Sequence, residues 1–255
     1  MTHGIEYTCE SNGIGILLID RPAVRNALDW DAMDAFRASV DQAGSDPQLK
    51  VLIVTGAGAT FISGGDLKVL QHHATRSDGE RLAATMGDAL ARLERLECVT
   101  IAAVNGPARG GGAEVAIACD LRIFAENADI GFVHARLGIM PAWGGGQRLL
   151  QAVGYSTALD LLVSGRVIDA REAYEFGIAD RVVPDALAAA RQFAEEIAQR
   201  PVETVWAIKR SMLAGISMPY EQALAQERKE FPALWDSDTL RTAIRKFIDR
   251  SSKSM

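Results

Sequence analysis

Apolar residues along this chain fall into two registers that alternate over its first two thirds. Unbroken or nearly unbroken apolar runs occur at "IGILLID" (14–20), "VLIVTG" (51–56) and "VTIAAVNG" (99–106), and these predict strands. The second and third read as strands covered on both faces, as in a parallel sheet. Shorter runs, "LRIFAE" (121–126) and "ADIGF" (128–132), predict two more. Between the strands the spacing turns helical. In "DWDAMDAFRASV", Trp30, Met33, Phe36 and Val40 share a face, Asp29 supplies a cap, and the helix is expected to run to about Ala43. The loop "GAGATFISGGD" (56–66) leads to a short helix and then a longer one, from about Gly79 to Leu96. A glycine-led helix follows the strand at 99–106.

Beyond "RVVPD" (181–185) the alternation stops. From Ala186 to Ser251 the pattern is amphipathic helix, punctuated by Pro201, Pro219 and Pro232. The chain is therefore expected to be α/β, with a core over 1–198 and a helical region over 199–255. It carries no low-complexity segment and no repeat of fixed period.

Composition narrows the function more than the fold. At 255 residues, 48% hydrophobic and 24% charged, the chain resembles ordinary globular proteins. No run approaches the roughly 20 apolar residues of a membrane span. The opening "MTHGIEYTCE" has no basic region followed by an apolar stretch, so no secretory leader is expected. Cys9, Cys98 and Cys119 are scattered and odd in number, which suits a reducing cytoplasm and neither a disulfide framework nor a zinc site. His72 and His73 are adjacent, so they would point apart on a helix, and no metal site is expected. A net charge of −6 argues against nucleic acid and anionic membranes as partners.

Two glycine-bearing loops carry the candidate chemistry. "GAGATF" leaves a strand, but Phe61 stands where a dinucleotide fingerprint needs glycine, and no Walker lysine follows. "GYSTA" (154–158) lacks the last glycine of a nucleophile elbow. What remains is the chemistry of helix N-termini, whose first amides have no intrahelical acceptor and carry partial positive charge. In "GPARGGGAEVAIACD" (106–120), Gly110, Gly111 and Gly112 either serve close packing or open those amides to a ligand oxygen. "FISGGD" (61–66) offers a second such amide at Gly65. Two donors on one oxygen would stabilise a developing oxyanion. Glu114 sits at the start of an apolar helix. Burial there favours its neutral form and the helix N-terminus favours its anion, a balance suited to proton transfer. The plainer reading is a glutamate bonding free amides in its own first turn.

Taken together, "RPAVRNALD", "VLIVTGAGATFISGGDL", "TIAAVNGPARGGGAEVAIACDLRIFAENADIGF", "LGIMPAWGGGQRLLQAVG" and "SGRVIDAREAYEFGIADRVVP", in that order, resemble the enoyl-CoA hydratase/isomerase, or crotonase, superfamily along nearly the whole chain. The resemblance implies a crotonase-like spiral of repeated ββα units with a helical C-terminal region, a homotrimer or dimer of trimers, and an acyl-CoA thioester as ligand. Coenzyme A would enter only as part of that substrate, with no separate cofactor. It also implies that the amides of Gly65 and Gly111 hold the thioester oxygen and that Glu114 is catalytic.

One position departs from the hydratase pattern. The second glutamate of the hydratases would fall twenty residues after Glu114, where this chain has His134. "IGFVHARLGIMPAWGGGQRL" with "RGGGAEVAIACD" and "FISGGDL" is closer to the ethylmalonyl-CoA decarboxylase-like branch, in which loss of CO2 from a malonyl-type thioester gives the same enolate. His134 then positions the departing carboxylate or acts as a donor, and Glu114 protonates the α-carbon. An enoyl-CoA hydratase, an isomerase working with one glutamate, and a non-catalytic acyl-CoA-binding subunit stay open at this point. The family pattern further implies that the "RNALD" backbone around Ala27 cradles CoA, with Arg25 near its phosphates. Ser63, Asp66 and Leu67, on or just after the oxyanion loop, would bind the substrate, Trp143 would shape the acyl pocket, and Phe247 and Arg250 would close over CoA.

Overall fold

The computed structural model describes residues 3–252, and side chains over 3–249. The chain begins with a strand that the apolar runs do not mark, β1 (Ile5–Cys9), paired antiparallel with β2 (Ile14–Ile19) so that Ile5 faces Ile19. Its inward residues Ile5 and Tyr7 alternate with exposed Glu6 and Thr8, so only a period of two betrays it. Next come α1 (Trp30–Gly44), capped as expected by Asp29, and β3 (Val51–Gly56), every residue of which is buried. After α2 (Leu67–Leu70), α3 runs over Arg76–Glu94 rather than from Gly79. Thr75 and Asp78 form a reciprocal capping box there, which sets the start a turn earlier than the glycine suggested.

β4 (Val99–Val104) and the two-residue β5 (Ala108–Arg109) lead into α4 (Gly111–Ile117), all of whose residues are buried. β6 (Leu121–Ala125) and β7 (Asp129–Gly131) follow, then a 3-10 turn over Val133–Leu137. The helices α5 (Gly145–Val153), α6 (Tyr155–Ser164), α7 (Ala170–Glu175) and α8 (Ala186–Ala198) are interrupted by β8 (Val167–Asp169) and β9 (Arg181–Val183). These two strands were not anticipated, since three residues are too few to establish a period.

The larger sheet has the order β1-β2-β3-β4-β6-β9 and is parallel except for the first pair; β5-β7-β8 form a smaller one. Val51 pairs with Val99 and Thr55 with Ala103, so β3 and β4 end at the same edge. Ligands of parallel sheets gather outside the carboxyl ends of the strands. Both glycine loops leave from that edge.

The chain divides into two units, Met1–Ile197 and Ala198–Met255. The second holds α9 (Val202–Ser217), α10 (Tyr220–Trp235) and α11 (Asp238–Ser252). Pro201 and Pro219 stand just before α9 and α10, where a proline costs no hydrogen bond, but Pro232 lies inside α10 and does not end it. Among the described residues no helix is long and apolar enough to cross a membrane.

Candidate active site

Each of the three consecutive glycines is required for a different reason. Gly110 has a φ of +51°, a backbone conformation that side chains resist. A Cβ on Gly111 would lie 2.1 Å from the Trp143 ring, and one on Gly112 would lie 1.9 Å from the Ile62 carbonyl oxygen. Close packing and an open helix start are thus properties of the same three residues. Among the described residues, neither the Gly111 nor the Gly65 amide donates a hydrogen bond within the chain. Both residues line one cavity of about 150 Å³, together with Ser63, Leu67, Glu114, His134 and Trp143. Its remaining lining is mostly apolar and includes Leu70, Leu82, Val133, Leu137, Ile139 and Met140. Glu114 is the sole carboxylate among its lining residues.

Glu114 is 1% exposed and fully engaged. Its Oε1 accepts from the amides of Trp143 and Gly145, both at 2.9 Å, and its Oε2 is 3.0 Å from Nε2 of His134. Gly145 opens α5, so the carboxylate lies at two helix N-termini, its own and that of α5. A glutamate bonding only its own first turn is therefore not what the structure contains: the donors lie 29 and 31 residues along the chain. His134 comes from the 3-10 turn and is 8% exposed; its Nδ1 is buried with no partner among the described residues.

The loop carrying Gly65 is held by the turn before α1. The Leu28 amide donates to the Gly64 carbonyl at 2.8 Å, the Asp66 amide to the Leu28 carbonyl at 2.8 Å, and the Ser63 amide to the Arg25 carbonyl at 3.2 Å. The residue that organises this turn escaped the sequence reading. Asn26, 0% exposed and at φ +58°, donates through Nδ2 to the carbonyls of Ala57, Thr60 and Phe61 at 3.0, 2.7 and 3.1 Å. Its place between Arg25 and Ala27 in an Asn-bearing turn was the available signal. Arg21 completes the turn, donating to the Ala27 carbonyl at 2.8 Å and pairing with Asp29. Partial burial pushes the Asp29 carboxyl upward, but the Arg21 guanidinium and the Ala32 amide outweigh it, and the net effect lowers its pKa.

The remaining anticipated residues lie around or apart from this cavity. Arg25 is exposed and Ala27 buried, and neither lines it. Asp66 caps α2 by accepting from the Lys68 amide, and Leu67 is 58% exposed at the mouth. Phe247, in the second unit, is 73% exposed, and the Arg250 side chain lies outside the described residues.

With this geometry in view, comparison with known proteins is decisive for the family. Residues 9–254 match the enoyl-CoA hydratase/isomerase family model. An ethylmalonyl-CoA decarboxylase of Rattus norvegicus is 35% identical over 247 residues, covering 95% of this chain and 83% of that protein. The ethylmalonyl-CoA decarboxylase of Gallus gallus is 33% identical over 91% of this chain and 79% of its own. Among solved structures, an enoyl-CoA hydratase from Bacillus anthracis superposes with a TM-score of 0.92 at 28% identity, covering 97% of this chain and 96% of that one. The chain belongs to the enoyl-CoA hydratase/isomerase family and has its crotonase-like fold.

Proposed function

We propose that this family member is a lyase that decarboxylates a malonyl-type acyl-CoA, with ethylmalonyl-CoA and methylmalonyl-CoA as the substrate class. The observation that carries the reading is the 3.0 Å contact between Glu114 and His134, in a cavity lined by one carboxylate among the described residues. A hydratase has to hold a water and manage its two protons, work naturally shared by two carboxylates. A single buried carboxylate paired with histidine leaves room for the negative charge that the substrate itself brings.

The reaction then needs three things from the chain. The unpaired amides of Gly65 and Gly111 receive the thioester oxygen and stabilise it as it takes up charge. The apolar lining from Leu70, Leu82 and Val133 solvates a carboxylate poorly, which favours breaking its bond to the α-carbon and releasing neutral CO2. The electrons of that bond pass to the thioester as an enolate. The proton shared between Glu114 Oε2 and His134 Nε2 then adds to the α-carbon, and solvent restores it. Coenzyme A belongs to the substrate, and no other cofactor enters. A trimer, or a pair of trimers, is part of the same reading, supported by exposed Ile208, Met212, Phe231 and Trp235 on the C-terminal unit.

Purified protein assayed against ethylmalonyl-CoA, methylmalonyl-CoA, crotonyl-CoA and a 3-enoyl-CoA tests the assignment. Turnover of a malonyl-type ester with CO2 release, faster than either enoyl reaction, is expected. Faster hydration of crotonyl-CoA would replace it with a hydratase, and faster double-bond migration with an isomerase.

A further inference from the structure

The carboxylate at the centre of the site depends on a turn, and the turn depends on a residue outside the cavity. Glu114 Oε1 is fixed by the amides of Trp143 and Gly145. Those amides flank Gly144, whose φ of +90° places it in the left-handed region. One helical turn on, Arg148 folds its guanidinium back over this bend. Its Nη1 donates to the Trp143 carbonyl at 2.9 Å and its Nη2 to Glu94 Oε2 at 2.9 Å. Glu94 ends α3, 54 residues earlier in the chain. The guanidinium thus ties the Trp143–Gly144 peptide, which lies between the two amides that donate to Glu114, to a separate helix.

Two features set this apart from an ordinary surface pair. The Arg148 side chain is 11% exposed, and its Nε is buried with no partner among the described residues. Burying a guanidinium costs solvation that its ion pair only partly offsets, so stability alone does not account for an arginine here. The bend also fits around it: a Cβ on Gly144 would come within 2.6 Å of Nη1. A planar fork that bonds a carbonyl and a carboxylate at once is a task lysine does not reproduce.

We infer that Arg148, anchored by Glu94, is a positioning residue that holds the Trp143–Gly145 turn and thereby sets the Glu114 carboxylate for proton transfer. The inference rests on the reading of Glu114 as the proton-transferring group. Small displacements of a reacting group are costly, with about 1 Å reducing rate by up to about a hundredfold. The anchor acts on the chemical step and leaves the outer parts of the ligand untouched.

The test compares Arg148→Met, Arg148→Lys and Glu94→Gln, each also combined with Glu114→Gln, using whichever malonyl-type or enoyl thioester the protein turns over. Expected for Arg148→Met is a kcat lowered about tenfold to a hundredfold with KM changed less than about twofold, and faster hydrogen exchange of the Trp143 and Gly145 amides. Arg148→Lys should recover part of kcat. In the Glu114→Gln background the Arg148 change should lower kcat no further, because the group it positions is gone. Should Arg148→Met fail to fold, Glu94→Gln, which retains the guanidinium and weakens its anchor, carries the same expectations at smaller amplitude. Unchanged kcat per folded molecule, a change confined to KM, or an undiminished effect in the Glu114→Gln background would each overturn the inference. If Glu114→Gln alone left turnover intact, the role of Glu114 would fall, whereas the amide exchange would still report whether Arg148 holds the turn.

Discussion

Nε2 of His134 stands 3.0 Å from Oε2 of Glu114, with 10% and 1% of the two side chains exposed. Twenty residues of chain separate them, and two elements, the 3-10 turn and α4, bring them together. Replacing Glu114 by Gln keeps an oxygen for the Trp143 and Gly145 amides while removing the transferable proton. Turnover of a malonyl-type thioester should fall about 10²–10⁴-fold, the usual worth of a positioned acid or base. Undiminished CO2 release in a single-turnover assay would take Glu114 out of the chemistry.

The same contact allows the reaction to be redirected. His134→Glu sets a second carboxylate opposite the first, where two like charges so close share one proton. That is the pairing that suits handling of water. The ratio of crotonyl-CoA hydration to decarboxylation should rise at least about tenfold, about 1.4 kcal/mol of relative barrier. Parallel assays on one preparation measure it, and an unchanged ratio would show that this position does not choose the reaction.

In the proposed reaction Gly111 connects packing to catalysis. Gly111→Ala would drive a methyl group into the Trp143 ring, which lies 2.1 Å from where that carbon would sit. Overpacking of this kind costs about 1–3 kcal/mol, and displacement of an oxyanion donor costs about 10²–10³ in kcat. Trimming the ring in Gly111→Ala/Trp143→Leu should recover most of the melting temperature. If the double variant melts no higher than the single one, the collision is elsewhere.

Asn26 ties the turn before α1 to the loop after β3 through three carbonyl acceptors. Asn26→Ala leaves those buried groups without their donor and should destabilise the protein by about 2–3 kcal/mol. Because that loop continues to Gly65, kcat should fall as well. Denaturant titration and steady-state kinetics on one sample check both, and a stable variant with impaired binding alone would place Asn26 in the ligand site.

These residues also mark what a linear reading captures. Gly65, Gly111 and Glu114 were legible because each lies in a local pattern, a strand ending in glycines or a carboxylate in an apolar helix, whereas His134 was marked only by the family resemblance. β3, β4 and α1 were legible for the same reason. Asn26 resembled any polar residue of a turn, since its three acceptors lie 31 to 35 residues away. Arg148 drew no reading from the sequence, because its meaning comes from Glu94 on another element. β8 and β9 owe their existence to their neighbours: Ile130 pairs with Ile168 and Phe124 with Val182, and neither strand has enough residues to declare a period.

Asp29 supplies a dependence on pH. Its carboxyl accepts from the Ala32 amide at the start of α1 and pairs with Arg21; despite partial burial, these partners hold its pKa below the ordinary aspartate value. A carboxyl depressed in the folded state contributes stability that is complete above its unfolded pKa of about 3.9 and is lost as pH falls through the folded value. Asn at this position still caps the helix but cannot form the ion pair. At pH 7, Asp29→Asn should therefore be less stable by about 1 kcal/mol, equivalent to a lowering of about 2–4 °C in melting temperature. The difference should shrink from about pH 4 downward, because only the wild type still has a charge to lose. Melting temperatures from pH 3 to 7 decide it: a gap that stays constant or widens in acid would mean that Asp29 holds the turn through its shape and hydrogen bonds, with no contribution from its charge.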